Sequence, residues 1–83
     1  MNDFNVYVKN SMFGTELSIK NNRNKKFKKW AISNKVNGKS KPVEINETIF
    51  GIYQIGEKID LFVYDNKNKE TLINNVIIEA NNR

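Results

Sequence analysis

No histidine and no cysteine occur in this chain of 83 residues, and proline and tryptophan occur once each. The first two absences remove the usual general base, the thiolate nucleophile and the common zinc and haem ligand sets. Disulfides go with them. A domain this small buries only about 60% of the surface its unfolded chain exposes, so its stability must come from packing alone, without covalent or metal staples. A third absence is local. Between Leu17 and Val43 there is no carboxylate, although that window holds Lys20, Arg23, Lys25, Lys26, Lys28, Lys29, Lys35, Lys39 and Lys41.

The charge balance reverses outside the window, where residues 44 to 83 hold seven acids against four bases and residues 1 to 16 hold Asp3 and Glu16 against Lys9. The formal net charge is +5. No apolar run approaches membrane-spanning length, and Met1-Asn2-Asp3-Phe4 lacks the basic start and apolar stretch of a secretory signal. The expectation is a cytoplasmic protein with no membrane partner. Asparagine and lysine are both abundant, a composition that AT-rich codons produce on any solvated surface, and this is a functionless account of the basic segment.

Helical periodicity is nearly absent and two-residue alternation recurs, which predicts an all-β chain. Phe4, Val6 and Val8 define a first strand, and Leu17 with Ile19 a second that ends at Asn21-Asn22-Arg23-Asn24. Phe27 to Val36 supplies a third. Asn37-Gly38 then predicts a type I′ hairpin turn, with positive φ at both central residues, and a fourth strand from about Lys39 to Ile45. Pro42, lacking an N–H, belongs at an edge or a bulge of that strand. Ile49, Phe50, Ile52 and Tyr53 have the spacing of one helical turn and predict a compact connector. Ile59 to Tyr64 is the clearest strand, apolar on both faces. Asp65 to Glu70 is a polar loop, and Leu72 to Glu79 is the last strand, with Asn74-Asn75 breaking its alternation as a bulge would.

The architecture expected is a single domain over residues 1–83, a small antiparallel β-sandwich of about six strands. The alternative is a small barrel with an extra N-terminal strand. Strands two to four, the helical connector and the last two strands are similar in order to the OB-fold.

Two partial motifs are set aside on chemical grounds. Gly38-Lys39-Ser40 lacks the first glycine of a phosphate-binding loop, since Ser33 stands there, and Lys41-Pro42 opens a helix poorly. A calcium loop starting at Asp65 would place Lys67 and Lys69 among its ligands, which cations do not serve. The remaining serines, carboxylates, lysines and tyrosines show no catalytic pattern, so neither an enzyme nor a cofactor or metal site is expected.

What remains is the basic segment with its two aromatics. Arg23, Lys25, Lys26, Lys28, Lys29 and Trp30 are the candidate contact residues, the cations as steering charges and Trp30 only if its ring is exposed. The expected function is a non-enzymatic binding module acting by protein contact through a basic face, as an inhibitor or a self-assembling subunit. Its partner would be an acidic protein surface or a second copy of itself. The alternative is an OB-like single-stranded nucleic-acid-binding protein that uses residues 20–41, with bases stacked on the aromatics and lysines along the phosphates.

Overall fold

The alternation of Phe4, Val6 and Val8 with polar neighbours becomes strand β1 (Phe4–Ser11), which forms an antiparallel hairpin with β2 (Gly14–Asn21). The computed structural model describes residues 3–12, 14–22 and 26–80. Six further strands follow: β3 (Lys29–Asn34), β4 (Gly38–Lys39), β5 (Val43–Glu44), β6 (Ile49–Gly51), β7 (Lys58–Tyr64) and β8 (Glu70–Ala80). No helix occurs among the described residues, so none there is long and apolar enough to cross a membrane.

The strands form one curled sheet in the order β4-β3-β7-β8-β1-β2-β6, with β5 beside β3. Its pivot is β8. The first part of this strand pairs antiparallel with β7, whereas Ile78, Glu79 and Ala80 pair in parallel with Val6, Tyr7 and Val8 of β1. The curl brings the inward side chains of both halves into a single core: Phe4, Val6, Val8 and Leu17 against Trp30, Ile32, Ile59, Leu61 and Val63. No polar side chain is buried among the described residues. A core of this kind rests on apolar packing, and each large side chain carries a substantial share of it.

The two ends of the sheet, β6 and the β4–β5 side, do not pair as strands among the described residues. Side chains close the seam instead. The Asn37 carboxamide takes both peptide groups of Ile52, accepting from its N–H at 3.3 Å and donating to its C=O at 2.9 Å, as a neighbouring strand would. The Trp30 indole N–H donates to the Glu47 C=O at 3.1 Å. The curled, open sheet is compatible with a small sandwich and with an OB-like barrel.

Three local features differ from the sequence expectation, each for an identifiable reason. The connector at residues 49–53 is extended. Ile49 and Tyr53 are buried while Phe50 and Ile52 are exposed, and Ile49–Gly51 pairs with Leu17–Thr15 of β2. Gly51 sits at the inward position between the two buried residues, and a Cβ there would lie 2.6 Å from the Tyr53 ring, so the Tyr53 side chain fills the space the glycine leaves. The turn after β3 has three residues, Lys35 to Asn37, between the pair Asn34↔Gly38. Only Gly38 takes the left-handed region, with φ at 71°, because the Asn34 side chain accepts the Asn37 N–H at 2.8 Å and organises the turn one residue earlier. Finally, the expected fourth strand is split into β4 and β5. Between Ser33↔Lys39 and Trp30↔Val43, β3 advances three residues and its partner four, so Lys41-Pro42 forms the anticipated bulge. The Ser40 hydroxyl accepts the Ile32 N–H at 2.9 Å beside it.

The bulge in the last strand lies at Asn74-Asn75. Leu61 pairs with Ile73 and Ile59 with Val76, so two asparagines oppose Asp60 alone, and Asn75 adopts φ 59°. Past the bulge the inward positions change from Ile73 to Val76 and Ile78.

Candidate functional site

Lys26 and Lys28 precede β3 and Lys29 opens it, and all three are exposed. Arg23 and Lys25 lie outside the described residues. Trp30 is fully buried and leaves the set of contact residues. Its position explains this. Trp30 faces inward from β3, paired with Val63 on one side and Val43 on the other, and its indole N–H is held by Glu47. Phe27 also turns inward and packs edge-on against Phe4, with ring centroids 5.4 Å apart. The aromatics of the basic segment therefore anchor it, and the lysines face solvent.

The β3–β7 pairing recruits cations from elsewhere in the chain. Lys29 is opposite Tyr64, and the Lys28 N–H donates to the Tyr64 C=O at 2.8 Å, so the turn between β7 and β8 starts beside the basic segment. That turn carries Lys67 and Lys69, both exposed. Its shape comes from Asp65, whose Oδ1 accepts the backbone N–H groups of Lys67 at 2.8 Å and Lys69 at 3.0 Å, with Asn68 in the left-handed region at φ 62°.

Three carboxylates lie near this end: Glu44, opposite Lys29 in the β3–β5 register, Asp65 and Glu70. The Lys69 and Lys67 backbone bonds hold the Asp65 carboxyl below its ordinary value. Glu70 accepts Lys39 Nζ at 2.9 Å and the Tyr64 hydroxyl at 2.7 Å, and these bonds, Lys39 first, lower its pKa. The bond to Glu70 raises the pKa of Lys39, whose ammonium also sits 4.2 Å from the Phe62 ring centroid. Tyr64 is pushed up, by partial burial first and by its bond to Glu70 second. By contrast Lys26, Lys28, Lys29, Lys67 and Lys69 make no ion pair among the described residues.

The chain's basic window is therefore divided in space. Lys26, Lys28 and Lys29 gather at one end with Lys67 and Lys69, Lys39 is neutralised on the outer face of the sheet, and Lys35 stands in the turn beyond the far end of β3, roughly 17–20 Å along the strand. Lys67 and Lys69 are absent from the sequence-based candidate set because only a long-range strand pairing brings them beside Lys28. No group of His, Cys, Asp or Glu is positioned to hold a metal ion among the described residues. No family model, curated protein or solved structure matches this chain.

Proposed function

We propose that this protein is a non-enzymatic β module that binds an acidic protein surface through its lysine-rich end, with Lys26, Lys28, Lys29, Lys67 and Lys69 as the contact cations. One observation carries the reading: two segments distant in sequence bring to the same end five lysines that make no ion pair among the described residues and outnumber the carboxylates Glu44 and Asp65 beside them, while Glu70 is bound to Lys39 and Tyr64. Charges arranged in this way steer encounter and select partners of opposite sign. Binding to single-stranded nucleic acid is the weaker reading, because Trp30 and Phe27, the rings on which bases would stack, are turned into the molecule.

The test compares a labelled oligoglutamate with an oligothymidylate of matched charge, each titrated at low and moderate salt. The module should bind oligoglutamate in a salt-sensitive manner, lose affinity on combined Lys28→Glu and Lys67→Glu substitution, and hold the oligothymidylate no more tightly. An oligothymidylate bound roughly tenfold tighter would reveal base stacking and overturn the protein-contact reading. Salt-sensitive dimers in light scattering that disappear with the same substitutions would identify a second copy as the acidic partner.

A further inference from the structure

Strand β8 meets β1 only at Ile78–Ala80, past the end of its pairing with β7 at Ile77. From Glu70 to Ile77 it pairs with β7 alone among the described residues. If the parallel register Val6↔Ile78 continued towards the start of β1, Phe4 would lie opposite Val76. Instead the strands part. The bulge at Asn74-Asn75 gives the physical reason, since an extra residue bends and twists the strand that carries it. Between the separated edges lies an open cleft of about 570 Å3, lined by residues 3–5 of one strand and residues 73–77 and Glu79 of the other. Its volume falls within the roughly 300–1,000 Å3 typical of binding clefts.

The lining differs in kind from the rest of the molecule. On a chain of net charge +5, the lining among the described residues contains the carboxylates of Asp3 and Glu79, the carboxamides of Asn5, Asn74 and Asn75, and no lysine or arginine. The Glu79 carboxylate is held in place by the Asn5 side-chain N–H at 2.6 Å. Phe4 is buried beneath the cleft, and Ile73 and Val76 pack against the same core, which makes the floor apolar.

We infer that the gap between β1 and β8 accepts an extended peptide of a partner protein as an added strand, with apolar side chains alternating with lysine or arginine. The strand edges supply backbone donors and acceptors, the floor takes the apolar side chains, and Glu79 faces the cations. A second copy of this chain fits less well. Its lysine-rich end consists of a turn and of a segment already hydrogen-bonded through the Lys28 N–H, and neither offers an extended strand.

The test uses a short peptide alternating lysine and valine, followed by calorimetry and by amide hydrogen exchange of the whole chain. Binding should slow exchange at backbone amides within Ile73–Ile77, and N-methylation of alternate peptide nitrogens should weaken it by roughly tenfold, the loss of one or two hydrogen bonds. Glu79→Gln, which keeps an acceptor for Asn5, should weaken it about fivefold, whereas Lys28→Glu with Lys67→Glu should leave it unchanged or tighter. Equal binding of the N-methylated peptide, equal binding of a glutamate–valine peptide, or unchanged exchange at β8 would each overturn the proposal. So would protection of the same amides in a peptide-free dimer, which would assign the gap to a second copy.

Discussion

Replacing Asn37 tests how the curled sheet is held shut. Its carboxamide makes two hydrogen bonds to Ile52, and its own N–H is taken by Asn34, whose amide reaches on to Glu57 at 2.8 Å. Asn37→Ala removes both bonds to Ile52 at once. Ile52 is 65% exposed, so water replaces the lost partner and the full cost of an unpaired buried peptide is avoided. The expected loss is about 1 kcal/mol in urea unfolding, with faster amide exchange at Ile52. A change within error would mean that the seam is held by its other contacts, among them the Trp30 indole bond to Glu47 and the Asn34 amide 3.5 Å from the Ile52 C=O. Trp30 itself is unsuitable as a probe of partner contact, because truncating a fully buried indole costs about 3–5 kcal/mol, comparable with the whole stability of a small domain.

At the scale of elements, the bulge in β8 governs both the curl and the gap beside β1. Asn75 holds φ 59°, a conformation that costs most L-residues roughly 1–2 kcal/mol and that asparagine and glycine tolerate best. Asn75→Gly should therefore be neutral or mildly stabilising, and Asn75→Val should destabilise by about 1–2 kcal/mol. Denaturation midpoints of the two variants decide the matter, and equal midpoints would show that the left-handed residue is not what sets the bend. This bulge was legible in the sequence because Asn74-Asn75 interrupts an apolar alternation that resumes one position out of phase. β6 was not legible in the same way. With glycine at its inward position, Ile49, Phe50, Ile52 and Tyr53 present the spacing of a helical turn, and only pairing with Thr15 to Leu17 reveals a strand. The turn at Asn37-Gly38 was visible but its geometry was not, since the Asn34 side chain shapes it from the end of β3.

At the scale of the whole molecule, the segregation of charge along the sequence is only partly kept in space. Lys39 belongs to the basic window yet folds over Phe62 to meet Glu70, whereas Lys67 and Lys69 come from the acidic remainder and stand at the lysine-rich end. Composition and spacing carry no information about which distant segments pair, so the second half of the site was beyond reach before the β3–β7 register was known. The same arrangement fixes the sign of the salt response. The five lysines at one end make no ion pair among the described residues and outnumber Glu44 and Asp65 beside them, so repulsion exceeds attraction there in the folded state, and the exposed Lys39–Glu70 pair is too solvated to offset it. Raising ionic strength from about 0.01 M to 0.1 M shortens the screening length from roughly 30 Å to 10 Å and should raise the thermal midpoint. Lys69→Glu should raise the low-salt midpoint and flatten its salt dependence, with Lys69→Gln between the two, because the Asp65 bond to residue 69 uses the backbone N–H and survives both changes. A midpoint that falls as salt is added would show that attraction between cations and carboxylates outweighs this repulsion, and the lysine-rich end would then be neutralised within the chain itself.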